Sequence, residues 1–278
     1  MANTKLLLRS GRQPVFSAML STGDDKLATF LLGNRFPHAH IPDYGSSRVS
    51  GSRLLAPDFV VEHKCGPDRI SVSLTDRSCS VFADAPNPQE FTYVALALLE
   101  KARSANSEYT LHASAMAKDG EAILFLGDRG AGKSTMCQEL GSRGWEYVSD
   151  EHTVLRESSI VAGSTVSVPR EGEIIAKNGP RDIGVKLVAI PKLSNRETLF
   201  TEQWDPWLSN LKLYEEASKL IRGLGIRLGS ATMGSLDDQP TADNRLKWAK
   251  NFASKVPFVF VEGTKSMIGD YICMMRWG

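Results

Sequence analysis

The order of apolar and polar residues divides the chain into two regions of different rhythm. Up to residue 86 the apolar groups come in short runs. Ile70-Ser-Val-Ser-Leu74 alternates apolar and polar, the period of a half-buried strand, and Phe59-Val-Val61 and Ser80-Val-Phe82 are weaker strand candidates. Gly23-Asp24-Asp25, Pro42-Asp43-Tyr44-Gly45 and Gly66-Pro67-Asp68 punctuate them as turns. The pattern predicts a small α+β domain over residues 1–86. At Ala85-Pro-Asn-Pro-Gln89 the rhythm changes. Asn87 suits an N-cap and Pro88 the first helical turn. Phe91, Val94, Ala95, Leu98 and Leu99 then recur at helical spacing, predicting a helix as far as Arg103.

From Tyr109 the pattern turns to α/β, and residues 87–278 read as a second domain. A strand is predicted over 110–116, a turn at Lys118-Asp119-Gly120, and a buried central strand at Ala122-Ile-Leu-Phe-Leu126, apolar throughout. The tight turn predicts antiparallel pairing of these two strands. A helix is expected from Lys133 to Arg143 and a strand over 145–149 that ends at Asp150-Glu151. Val154-Leu155 and residues 161–168 suggest a hairpin. Helices are expected over 205–225 and 241–254, and a last core strand over 257–261.

Composition narrows the class. With 278 residues, 42% hydrophobic and 23% charged, the chain is neither disordered, collagen-like nor a coiled coil. A net charge of +1 gives no electrostatic argument for nucleic acid or an anionic membrane as partner. Cys65, Cys79, Cys137 and Cys273 form no C-x-x-C pair and suit reduced thiols. The triplet Leu6-Leu7-Leu8 is too short for a signal peptide. The best apolar run, 93–99, falls far below the about 20 residues that span a bilayer. A cytoplasmic protein is the expectation.

The chemistry is carried by Gly127-Asp-Arg-Gly-Ala-Gly132-Lys133-Ser134. It fits G-x-x-x-x-G-K-[ST] at every fixed position, with a strand before it and a helix after it. Gly127, Asp128, Arg129, Gly130, Ala131, Gly132, Lys133, Ser134 and Thr135 are the candidate nucleotide-binding residues. The glycines let successive N–H groups face inward as an anion nest, and the helix N-terminus adds partial positive charge. Lys133 can reach the β- and γ-phosphates, and Ser134 can ligate Mg²⁺. No Asn-Lys-x-Asp and no Leu-Ser-Gly-Gly occurs, which argues against a GTPase and an ABC ATPase.

Asp150 ends a strand expected beside the one that precedes the loop, where ligands of open α/β sheets gather. It is the candidate base, or a Mg²⁺ ligand. His112 is expected to orient Asp150 or to contact phosphate. Glu151 is a candidate Mg²⁺ ligand with Ser134. His38 and His40 alternate on an apparent strand or loop, and with His63 and His152 they form no metal spacing. Arg170, Lys177, Arg181 and Lys186 lie in a loop-rich stretch, and Arg170 is the candidate contact for an anionic substrate. Residues 229–240, rich in small polar groups, read as a mobile lid or a surface loop.

Taken together, Leu111-His-Ala-Ser-Ala115, Ile123-Leu-Phe-Leu-Gly-Asp-Arg-Gly-Ala-Gly-Lys-Ser-Thr135 and Leu140-x-x-Arg-Gly-Trp-Glu-Tyr-Val-Ser-Asp-Glu-His-Thr-Val154 resemble the HPr kinase/phosphorylase family. They are more similar still to the smaller HPr-kinase-like kinases of peptide and metabolite pathways. The resemblance covers residues 110–190. It implies a P-loop kinase domain of the HPr kinase/PEP carboxykinase type and ATP-dependent phosphorylation of a hydroxyl. Asp150 would be the acid/base, His112 its neighbour, and Lys133 and Ser134 the phosphate and Mg²⁺ ligands. The expected function is transfer of the γ-phosphoryl group of ATP to a small metabolite. A serine/threonine kinase acting on a peptide or protein, and a nucleotide-gated regulatory module with little turnover, are the alternatives. Assembly as a homo-oligomer is compatible with each.

Overall fold

The computed structural model describes residues 4–11, 15–49, 56–164, 166–167, 174–175, 182–223 and 225–275. In chain order the first elements are β1 (Thr4–Ser10), β2 (Phe16–Thr22), α1 (Asp25–Gly33), α2 (Arg35–His40), β3 (Gly45–Arg48), β4 (Phe59–Lys64), β5 (Arg69–Ser73), β6 (Ser78–Phe82) and α3 (Pro88–Ser104). Then come β7 (Glu108–Leu111), β8 (Ala113–Lys118), β9 (Glu121–Leu126), α4 (Lys133–Gly141), β10 (Glu146–Ser149), β11 (Thr153–Arg156), β12 (Ser159–Gly163), and the two-residue strands β13 (Val166–Ser167) and β14 (Ile174–Ile175). The rest are β15 (Ile183–Leu193), β16 (Phe200–Gln203), α5 (Pro206–Ser218), β17 (Arg227–Leu228), β18 (Ala231–Thr232), α6 (Gln239–Lys255), β19 (Phe258–Gly263) and α7 (Lys265–Met274). The fold is a mixed α/β one with two large sheets. Among the described residues no helix is long and apolar enough to cross a membrane.

Two compact units form, one from residues 1–106 with 218–242 and one from 107–217 with 243–278. The first holds a six-stranded sheet in the order β3-β1-β2-β4-β6-β5. Alternate residues of β2, Phe16, Ala18 and Leu20, point into its core. Asn87 caps α3 by accepting the Gln89 N–H. The apolar face of α3, with Phe91, Val94, Leu98 and Leu99, shares one cluster with Leu6, Leu20 and Leu27. The expected boundary at residue 86 therefore moves to 106, because α3 buries its stripe in the first unit. His38 and His40 also differ from expectation. They lie on the short helix α2, which Asn34 caps.

Residues 218–242 return to the first unit for the same reason. Ile221, Ile226, Met233 and Leu236 are buried in its core. The Leu236 N–H donates to the Ile221 carbonyl at 2.8 Å, and the Lys101 ammonium lies 2.5 Å from Asp238. The lid reading of 229–240 is thereby corrected, since a mobile lid carries few buried apolar contacts. Leu236→Ala is expected to lower the stability of this unit by about 2–5 kcal/mol, the range for emptying a buried leucine site. Urea unfolding followed by circular dichroism measures it.

The second unit is built on the hairpin β8–β9, turned at Asp119 and Gly120, both with positive φ. Its main sheet runs β10-β8-β9-β15, and β15 continues in parallel to β19. The amino end of β15 pairs with β12, which leads to β11 and β7. In β9 the odd and even residues enter different clusters. Leu124 and Leu126 pack with Val188, Phe252 and Phe258. Ile123 and Phe125 pack with Met136, Leu140 and Ile268. A strand covered on both faces reads as an unbroken apolar run.

Three expectations change here. The strand expected over 110–116 is two strands broken at His112, because β7 pairs with β11 while β8 pairs with β9 and β10. The strand that ends at Asp150 does not lie directly beside β9; β8 separates them and takes β10 on its outer edge. The stretch expected to be loop-rich up to Lys186 contains the start of β15, the longest strand described.

Candidate functional site

The segment from Gly127 to Gly132 links the carboxyl end of β9 to α4. Gly132 occupies the N-cap of α4 at φ 103°, a left-handed conformation that glycine adopts without strain. A Cβ there would lie 2.6 Å from Cγ of Leu193. Having no side chain, Gly132 makes no capping bond. The first N–H groups of α4, which no residue of the helix can pair, are thus presented as a site of partial positive charge.

Lys133 follows at once. Its ammonium folds back over the loop and donates to the carbonyls of Gly127 at 2.8 Å and Asp128 at 3.3 Å. Only 8% of the residue is exposed. Burial holds its pKa below the ordinary lysine value, against the opposing charges of Glu151, Glu216, Asp128 and Asp150. Glu216, on α5, is itself buried and paired with Lys212 at 3.0 Å.

Across the sheet edge, Asp150 follows β10. Its Oδ1 accepts from the hydroxyls of Ser134 and Ser114, each at 3.0 Å. The hydroxyl of Ser114 also lies 2.6 Å from the Asp150 carbonyl oxygen. The next turn is held by Ser164, whose Oγ accepts the N–H groups of Glu151 and His152 at 3.0 and 2.9 Å. Gly163 permits this close approach: a Cβ there would lie 2.6 Å from Cβ of Ser149. Beneath, Cys137 is buried, and burial together with the negative charge of Asp150 pushes its thiol well above the ordinary value. It stays a neutral packing group.

The structure brings Lys133, Ser134 and Asp150 to one sheet edge but gives His112 another partner than expected. The His112 Nε2 lies 3.5 Å from Glu151, a pair that is ionic when the ring is protonated. Its contact is therefore with Glu151 and not Asp150, because the break between β7 and β8 leaves it on the bend rather than in the ladder. Asp128, Arg129 and Gly130 are exposed in the loop, and Ala131, Gly132 and Thr135 are half-buried. Arg170, Lys177 and Arg181 lie outside the described residues. Lys186 pairs with Glu121 at 3.0 Å.

Sequence reasoning missed Ser114, Ser164, Glu216 and Leu193. Only Ser114 carried a signal, as a polar residue among alanines two positions after His112. As for a metal, the described residues hold no group of three His, Cys, Asp or Glu side chains arranged so that it could hold a metal ion. The oxygens on hand, from Ser134, Asp150 and Glu151, are hard donors few in number. That suits Mg²⁺, which uses one or two carboxylates and completes its shell with water and phosphate.

No protein-family model matches the sequence, and no curated protein matches it. Among solved structures the chain is similar to the Hpr(Ser) kinase/phosphatase from Coxiella burnetii, with 13% sequence identity and a TM-score of 0.29 over 59% of this chain and 96% of that one. A likeness at that level fixes neither the fold nor the activity.

Proposed function

We propose that the protein is an ATP-dependent kinase with a P-loop domain of the HPr kinase/PEP carboxykinase type, which moves the γ-phosphoryl group of ATP to a hydroxyl of a small metabolite. The observation that carries this reading is the 3.0 Å contact between Ser134, at the start of α4, and Asp150, at the carboxyl end of β10. It joins an anion-binding helix start to a carboxylate across one sheet edge, as phosphoryl transfer requires.

In this reading the N–H groups of residues 127–134 hold the phosphate oxygens. Lys133 exchanges its two carbonyl partners for phosphate, and its charge offsets the negative charge that builds up in transfer. Asp150 orients the acceptor hydroxyl and takes its proton as the bond to phosphorus forms. Ser134 and Glu151 would hold Mg²⁺, which would neutralise phosphate charge when bound. For Glu151 this means leaving His112, which would thus take part in that exchange.

The test is ATP titration by calorimetry, followed by an ADP-release screen over hydroxyl metabolites with the product mass measured. Binding at micromolar ATP and a mass gain of one phosphate on one compound are the expected results. A chain that does not bind ATP would sink the reading. Ser134→Ala is expected to raise the Mg²⁺ concentration for half-maximal turnover about tenfold, the loss of one modest ligand. An unchanged Mg²⁺ titration would remove Ser134 from the metal site.

A further inference from the structure

The contacts of Asp150 point to a residue that the reaction needs but that touches neither ATP nor acceptor. Strand β10 pairs with β8 in a register that shifts within four residues. Tyr147 faces Met116, yet Ser149 faces Ala115. The ladder therefore steps over Val148, a one-residue bulge. Continued without the bulge, the pairing would set Asp150 opposite Ala113. With it, Asp150 falls opposite Ser114, because a slip of one residue moves every later side chain to a new partner. Bulges that re-aim a side chain in this way recur beside active sites.

Ser114 is fully buried in β8, and its hydroxyl lies within bonding distance of two oxygens of the same residue, the carbonyl at 2.6 Å and Oδ1 at 3.0 Å. The hydroxyl has one proton, which these two oxygens share, so Ser114 ties the backbone of Asp150 to its carboxylate. Oδ1 also accepts from Ser134. When Ser134 turns toward a metal ion and phosphate, Ser114 is the donor that remains. Both hydroxyl contacts fall on Oδ1, which leaves Oδ2 to meet the acceptor. We infer that Ser114, delivered by the Val148 bulge, is the positioning residue that holds the Asp150 carboxylate in its working orientation. This rests on the kinase reading above.

The test uses the full chain with Mg²⁺·ATP and water as acceptor, so that no metabolite need be known. Ser114→Ala and Ser114→Val are expected to lower kcat about tenfold, with the Kd for ATP unchanged within twofold. Ser114→Thr, which has the shape of valine but keeps the hydroxyl, is expected to recover most of the rate. In an Asp150→Asn background, Ser114→Ala is expected to cost nothing further, since a residue that acts through another couples fully to it. Equal rates for the threonine and valine variants, or an undiminished effect in the Asp150→Asn background, would overturn the inference. A parent that does not bind ATP sinks the kinase reading separately, and one that binds ATP without hydrolysing it leaves that reading standing; neither gives a rate. The pairing is then read from thermal unfolding of Ser114→Ala, Asp150→Ala and the double variant. A combined Tm loss short of the sum supports the inference, and an additive loss overturns it.

Discussion

Lys133→Ala is expected to lower turnover of ATP by at least about 10³-fold while the protein stays folded, the scale seen when a preorganised cation is taken from a phosphoryl-transfer site. The two halves of this expectation have one origin. The ammonium is buried against two carbonyls, and burial holds its pKa down. A charge kept where desolvation opposes it contributes little to stability and much to a site in which negative charge will arrive. The Tm of the variant should thus equal that of the parent or exceed it. Ligand protection gives a second readout. On the proposed function, Mg²⁺·ATP at 100 times its Kd would stabilise the folded parent by about 2.7 kcal/mol, and the variant should lose most of that rise in Tm. A variant that turns over ATP like the parent would remove Lys133, and with it the phosphate-loop reading.

Asp150→Asn separates a kinase from a nucleotide switch. It is expected to keep ATP affinity within a few-fold and to lose about 10²–10⁴ in turnover, the usual contribution of a positioned general base. The amide keeps an oxygen for the hydroxyls of Ser114 and Ser134 and fills the same volume, so the turn after β10 should persist. What it cannot do is take a proton. Paired measurements of ATP titration and single-turnover transfer on one preparation decide the matter. Transfer at the parental rate would rule Asp150 out as the base. Parallel loss of binding and turnover would assign it to the metal–nucleotide site and favour the regulatory module. His112→Ala should lose less than Asp150→Asn, because its contact is with Glu151.

The strand–loop–helix order around Gly127–Lys133 and the hairpin before it were legible because their signals are local. Glycines at positive φ and a buried five-residue apolar run need no knowledge of the rest of the chain. Apart from the short helix at His38 and His40, the misreadings concern partners chosen at a distance. Nothing in residues 110–116 shows that pairing changes hands at His112, since the break is set by β11, where Thr153 donates to the Ala113 carbonyl at 2.7 Å. Strand β15 was hidden by Pro191, which argues against a central strand. Its pairing with β9 ends at Ala189, opposite Phe125, so the proline falls where the ladder on that side has already stopped. Ser114 was invisible as a site residue because its place opposite Asp150 depends on a bulge in another strand.

The second unit is made of two stretches of chain, and its parallel pair β15–β19 runs from Val188 opposite Phe258 to Leu193 opposite Gly263. Some 70 residues separate these partners along the chain, and closing a loop of that length costs about 4 kcal/mol of chain entropy before any contact rewards it. Such non-local parallel pairing is slow. In synthesis order β15 ends at Leu193 and β19 begins only at Phe258, so the chain can pair β15 with β9 before β19 exists. During that interval its carboxyl half, beside Gly132, presents a row of unpaired N–H and C=O groups to any extended chain nearby. The strand order that builds this sheet edge therefore also leaves the nascent protein open to misassembly there.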